Sequence, residues 1–395
     1  MLVHWIWYAS LRGLSPQQKR KLMHRYNDPE DIFNKTDFED EPLLSAEAVA
    51  ALSDKDLTYS RQLLKRCNEM RIQIVTYRDA AYPARLKNIS DPPLMLYYKG
   101  QLPAFDMQPV IGVVGTRKAS LYGKSSAYTM GSAIAACGGM VISGGAAGID
   151  TEALRGALTE DLPTVAVLGC GVDVVFPASN RGLFERITER GCLLSEYPPG
   201  TTVQKWHFPE RNRIISGLSD ALLVVEAPEK SGALITARLA LEQGREVYAM
   251  PGGVNLYHCA GSNRLLQEGA AAATTGWDIL KNYATQYPDI TFRETERENE
   301  PLWVAQTPQI PEREFSDKKY IDNTPTQAYS DESNIPSGLD DLSRKVLGCL
   351  TKEPTPVDDV IARAEAPAAE VLGVLTKMSL LGLVVNHPGR MVSAK

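Results

Sequence analysis

Between residues 110 and 250 the chain alternates two textures. Apolar runs of four to six residues occur in PVIGVV, MVIS, TVAVL, CLLSEYP, DALLVVEA and EVYAM. Between them lie segments whose apolar residues return at helical spacing: SSAYTMGSAIAACGG, GIDTEALRGALTE, NRGLFERITERG and LITARLALEQG. An apolar run without polar alternation belongs to a strand covered on both faces, and strands separated by helices pair in parallel. The pattern predicts an α/β core, a doubly wound, Rossmann-like parallel sheet. HFPERNR reads as a loop between two of these strands. RIQIVTY and LMLYYKG add two strands in front, joined by a proline-rich turn.

The flanks differ in texture. Residues 1–75 read as a small helical domain of the SAM or helix-hairpin-helix kind. LSPQQKRKLMHRY offers Ser15 as N-cap with Pro16 at the first helical position, and LSAEAVAALS repeats the scheme with Ser45 and Glu47. Such a head binds nucleic acid or a partner, or simply packs on its neighbour. The extended core domain is assigned to 76–283. Residues 284–338 are rich in Glu, Asp, Pro, Thr and Gln and poor in apolar periodicity, which predicts a disordered linker. Residues 339–395 give three helices and a hairpin, a winged-helix pattern. Arg390 in that hairpin is a candidate phosphate contact. Against DNA reading, the third helix, EVLGVLTKMSLLG, has one lysine, Lys377, and a protein–protein module fits as well.

The formal net charge of the 395 residues is −6. There is no global basic field, so nucleic-acid binding would need a local patch. Six cysteines are scattered without a CxxC pair. Cys137, Cys170 and Cys192 sit among apolar neighbours, as core residues of a reducing cytoplasm do. No metal site, cofactor or membrane span is expected.

Ligands of an open parallel sheet sit at the carboxyl ends of its strands. The loops there are GTRKASLYG, GGAAGID, GCGVDVVFPASN, TTVQKWHFPERNR, KSGALIT and PGGVNLYHCAGSN. Gly115, Gly144, Gly145, Gly148, Gly169 and Gly171 would let backbone N–H groups face a phosphate. None of these loops carries a dinucleotide or Walker fingerprint in the required context. Asp150 and Glu226 are candidate general bases. Asp150 also suits the start of a helix. Of five histidines, His207 and His258 fall in these loops, and neither has a visible nucleophile partner, so no catalytic residue is assigned. What stands out is a cationic and amide set: Arg117, Lys118, Lys205, Arg211, Asn212, Arg213 and Lys230, with Trp206 and Phe208 interleaved. Basic groups hold phosphates and rings stack bases, which suits single-stranded nucleic acid. Alternatively, Arg211 and Arg213 pair structurally with carboxylates such as Glu196 or Glu210.

The motifs GTRKAS, SGGAAGID, LGCGVDVVFPASN, SEYPPGT, HFPERNRIISGLS, VVEAPEKSGALITARLALEQGREVYAMPG and GSNRLLQEGA strongly resemble the DNA-processing protein A (DprA, also Smf) family. The resemblance runs from about residue 75 to 283, and more loosely into both flanks. It implies a cytoplasmic, non-enzymatic protein that binds single-stranded DNA. Such a protein protects incoming strands in natural transformation, loads the recombinase RecA, and dimerises through its Rossmann-like domain, here around residues 234–270. By motif, Arg117 matches the arginine of the G-[ST]-R loop and Lys205 a second basic contact. Phe208, Arg211, Asn212 and Arg213 match FPxRNR, and Lys230, Ser231 and Gly232 match the KSG turn. Ala147 and Leu154 stand where the family's arginine and histidine are expected, which implies two polar groups missing from one side of the cleft.

Two other readings compete. A nucleotide phosphoribohydrolase of the lysine-decarboxylase-like type needs PGGxGTxxE, whereas PGGVNLYHCAGSN lacks both the Gly-Thr and the acid. In a protein–protein adaptor the head and tail would do the main work, with DNA binding incidental.

Overall fold

The computed structural model describes residues 2–38, 41, 44–293, 340–364, 366–380, 383–387 and 391–394. The chain divides into two compact units, Met1–Gln309 and Ile310–Lys395.

The first unit opens with α1 (Leu2–Ser10), α2 (Pro16–Arg25), α3 (Pro29–Asn34), α4 (Ala46–Ser53) and α5 (Thr58–Glu69). Ser15 caps α2 by accepting from the Gln18 N–H, and the Gln18 side chain accepts from Ser15 N–H in return. Ser45 caps α4 through Ala48. Both caps satisfy N–H groups that a helix start leaves orphaned. Trp5, Ile6, Tyr8, Leu52, Leu63 and Cys67 are buried in the same core as Met95 and Tyr97 of the sheet. The head is therefore fused to the sheet as one unit.

The sheet comprises β1 (Gln73–Thr76), β2 (Met95–Gly100), β3 (Val110–Val114), β4 (Met140–Ser143), β5 (Thr164–Val167), β6 (Cys192–Ser195), β7 (Ala221–Val224), β8 (Glu246–Ala249) and β9 (Ala271–Ala272). Its order is β1-β2-β6-β5-β4-β3-β7-β8-β9. β3 to β9 pair in parallel, while β2 is antiparallel to both β1 and β6. After β6 the chain returns to lay β7 on the other side of β3. The crevice at the carboxyl ends of β3 and β7 is therefore the topological switch point, where such sheets bind ligands.

Helices cover both faces. α6 (Ala84–Lys87) fills the turn between β1 and β2. Then come α7 (Leu121–Ala136), α8 (Ile149–Ala157), α9 (Arg181–Arg190), α10 (His207–Leu218), α11 (Gly232–Glu242), α12 (Ala260–Gln267) and α13 (Gly276–Leu280). Ile111, Val113, Val141 and Leu193 pack with α7, α8, α9 and α13. Their strand neighbours Val110, Val114, Ile142, Val165, Val167 and Val224 pack with α10 and α11. This period-two division with both faces buried explains the unbroken apolar runs. Each such side chain contributes about 1.5–3 kcal/mol on burial.

Two expectations are corrected. HFPERNR is the first half of α10, not a loop. Pro209 is the third residue of that helix, where a missing N–H costs nothing because the first-turn donors have no intrahelical partner. The expected linker does not begin at 284, because Tyr287 and Ile290 are buried against the first unit. The rest of that expected linker, residues 294–338, lies outside the described residues.

The second unit contains α14 (Asp341–Gly348), β10 (Thr355–Pro356), α15 (Val357–Ala364), α16 (Ala368–Leu380), β11 (Val384–His387) and β12 (Met391–Ala394). The strands form a sheet of order β10-β12-β11. Val346, Leu350, Val360, Val371, Met378 and Val392 form its core. This is the winged helix. Lys377 on α16 is paired with Asp340 at 3.4 Å. Arg390 lies outside the described residues. No helix among the described residues is long and apolar enough to cross a membrane.

Candidate nucleic-acid interface

A cleft of about 500 Å³ opens at the switch point. Gly115, Thr116 and Arg117 reach it from the end of β3. Ala146 and Asp150 come from the loop after β4 and the start of α8. Lys205, Phe208, Arg211 and Asn212 follow β6, and Lys230, Ser231 and Gly232 follow β7. Four segments distant in sequence thus converge because the strand order reverses between β3 and β7.

Arg117, Lys205 and Lys230 are exposed and form no ion pair among the described residues. The Arg117 guanidinium lies 4.2 Å from the centroid of the Phe208 ring. That stacking fixes its plane and leaves its N–H fork for an anion. Lys118 is exposed but does not line the cleft. Ser231 is the N-cap of α11 and accepts from the Ala233 N–H. The KSG turn therefore aims the positive end of an 11-residue helix at the cleft, an arrangement that favours phosphate.

The two arginines of the RNR triplet part company. Two positions apart on a helix do not share a face. Arg211 is 3% exposed at the cleft floor and donates to the Val167 carbonyl. Burial pushes its pKa down to about 10, with Asp150 pulling it back up. Burial raises the pKa of Asp150, opposed first by Arg211. Gly144 lies between the two charged groups, where a Cβ would strike both. Arg213 points the other way. It donates to both oxygens of Glu196 (2.9 and 2.8 Å) and to Asp91 (3.2 Å). It lines a separate cavity of about 200 Å³ between the head and the sheet. Of the expected Arg-Asn-Arg set, Arg211 and Asn212 line the cleft and Arg213 does not; Arg213 is paired with Glu196, as the alternative reading expects.

The glycines are mostly spacers. Of the six, Gly115 lines the cleft. Gly148 has φ +86°, and an added Cβ there would lie 2.8 Å from the Arg117 carbonyl oxygen, so it lets the β3 and β4 loops touch. Gly144 makes room for Arg211, Gly145 for Phe184, Gly169 for Phe208 and Gly171 for the Pro198 carbonyl. The departures also resolve. Ala147 is exposed, but Leu154 is fully buried in the core beneath α8. The Leu154 substitution removes nothing from the cleft.

Asp150, Glu226 and His207 are bound into the scaffold, whereas the buried Nδ1 of His258 has no hydrogen-bond partner among the described residues. Glu226 is 1% exposed and accepts from Ser120 N–H (2.9 Å) and Ser120 Oγ (2.7 Å), pegging the start of α7. His207 contacts the Gly169 carbonyl through Nδ1 at 3.1 Å and stacks on Tyr197 at 3.9 Å. Among the described residues no group of three or more His, Cys, Asp or Glu is placed to hold a metal. Phe176, which sequence reasoning passed over, lies 6.1 Å from Phe208 between ring centroids. Its signal was an aromatic residue in a strand-end loop, in VVFPASN.

Residues 73–284 match the family described as DNA recombination-mediator protein A, and residues 330–390 match the DprA winged helix domain. Protein Smf of Synechocystis sp. is 34% identical over 333 residues, 83% of this chain and 81% of that protein. The DNA processing protein DprA of Bacillus subtilis is 40% identical over 220 residues, 56% of this chain and 74% of that protein. The X-ray structure of DprA from Streptococcus pneumoniae superposes with TM-score 0.57 at 32% identity, covering 74% of this chain and 99% of that one. Motifs, fold and relatives agree: the chain belongs to the DNA-processing protein A (DprA/Smf) family.

Proposed function

We propose that the switch-point cleft holds the phosphates of single-stranded DNA. On this reading the protein works in the cytoplasm, protects incoming strands during natural transformation and passes them to a RecA-type recombinase. One observation carries it: Arg117, Lys205 and Lys230, unpaired among the described residues, converge with the start of α11 on one crevice. The names of the relatives, DNA processing protein and recombination mediator, point the same way. The protein acts by binding rather than by chemistry. Glu226 is tied to Ser120 and Asp150 faces Arg211, so both acids serve the scaffold.

Anisotropy of labelled single- and double-stranded oligonucleotides over a salt series tests this. Each phosphate neutralised on a single strand contributes about −0.7 to the slope of log K against log salt. Three cations predict a slope of about −2 or steeper, with single strands preferred. Failure to bind at low salt rejects the reading.

A homodimer through residues 234–270 belongs to the same proposal. Leu241, Val254, Leu256 and Tyr257 are 59%, 88%, 52% and 70% exposed there, apolar surface that a monomer would leave in water. Light scattering should give a dimer mass at micromolar concentration; a monomer mass at every concentration refutes it.

A further inference from the structure

The cavity between head and sheet lies away from the cleft, and Arg213 is its link to α10. Part of its wall is apolar: Ile6, Leu14 and Leu63 come from the head, Met95 and Tyr97 from β2. Its charged groups do not balance. Asp91 and Glu196 are its two carboxylates, and Arg213 engages both. Arg213 nevertheless keeps a buried Nη1 with no hydrogen-bond partner. Lys19 and Arg20, consecutive on α2, add two further cations.

Neither of these two forms an ion pair among the described residues. Lys19 Nζ donates to the Ala9 carbonyl at 2.8 Å, and the Nε of Arg20 is buried without a partner. Burial pulls the pKa of Lys19 down to about 8, while Glu196 pulls it back up. Buried donors without acceptors are costly, and an anion among them would satisfy several at once. An apolar wall with a few convergent polar groups is the make-up of a small-molecule site.

Size narrows the class. A dry cavity of about 150 Å³ accepts a benzene ring, so the cavity of about 200 Å³ has room for a ring and a carboxylate. A groove of about 750 Å³ shares Ala9, Ser10, Tyr59 and Pro198 with it and adds exposed Arg12, which gives such a molecule a way in.

We propose that this cavity binds a small organic anion, a compact apolar body bearing one carboxylate, with the body against Ile6, Leu63 and Met95 and the carboxylate on Lys19, Arg20 and the unpartnered Nη1 of Arg213. The proposal does not depend on the reading of the cleft.

The test uses the full chain and 4-fluorobenzoate, followed by the broadening of its fluorine resonance. Binding should saturate at one site per chain with a dissociation constant of about 1 mM or tighter. 4-Fluorobenzamide, which keeps the shape and lacks the charge, should bind about tenfold more weakly. So should 4-fluorobenzoate to Lys19→Met and to Arg20→Met, about the scale of one charge-assisted hydrogen bond. Neither substitution strands a carboxylate, so both variants should melt near the wild-type temperature. Inorganic phosphate, which has no apolar body, should not displace the probe. Arg117→Ala/Lys205→Ala should bind it like wild type. No saturable binding up to about 10 mM overturns the proposal, as does equal affinity for the amide or wild-type affinity in both α2 variants. Loss of the probe from Arg117→Ala/Lys205→Ala, with retention by the α2 variants, would seat the anion in the cleft and overturn it as well.

Discussion

Arg117→Ala combined with Lys205→Ala is expected to weaken single-strand binding about 100- to 10,000-fold. A hydrogen bond to a charged group is worth about 1.5–3 kcal/mol, and about 1.4 kcal/mol is a factor of ten. Neither side chain has an ion-pair partner among the described residues to be stranded by its loss, so the fold should be unaffected. The salt slope separates this from a folding defect. Two phosphate contacts fewer should make it shallower by about 1.4, while the melting temperature stays within a degree or two. Arg117→Lys alone is informative. It keeps the charge but gives up the planar stack on Phe208, so affinity should fall while the slope is retained. Wild-type binding by the double variant would remove the cleft from consideration.

Arg213→Ala should do the reverse: damage stability and spare binding. Its side chain is 15% exposed and joins Glu196 to Asp91, one carboxylate on the segment after β6 and the other just ahead of β2. Taking away one partner of a largely buried ionic cluster costs about 3 kcal/mol, which for a unit of this size lowers the melting temperature by about 5 °C. Below that transition the variant should bind oligothymidine within twofold of wild type and with the same salt slope. An unchanged melt with lost binding would instead place Arg213 on the DNA and contradict its position on the far side of α10.

These two arginines also show how far the sequence could be read. The strands were legible because both their faces are buried, and α7, α8, α9 and α11 because their apolar residues keep the helical period. α10 was not, because Phe-Pro followed by charged residues looks like a loop unless the proline is placed in the first turn. Once the segment is a helix, Arg211 and Arg213 must diverge, which a loop reading cannot foresee. The converging cations were legible from the rule that loops at carboxyl strand ends share one edge. Their exact company was not. Whether Phe208 is free or covered by Arg117 depends on packing between a loop and a helix 91 residues apart (208 − 117), and no local pattern reports it. α12 and α13 are short, and Tyr287 and Ile290 are isolated apolar residues in a polar tract, so neither carried a periodic signal.

The fusion of head and sheet has a consequence for how the chain is made. The head's apolar side is completed by Met95 and Tyr97 on β2, and β2 finds its inner neighbour only at β6, with Tyr97 opposite Ser195. At a synthesis rate of about 5–20 residues per second, the ribosome needs roughly 5–20 s to travel from one strand to the other. Throughout that interval the nascent chain displays the unpaired inner edge of β2 beside the head. Slow decoding between codons 100 and 195 would lengthen the exposure, so chaperone supply, rather than the final stability of the protein, should set its soluble yield.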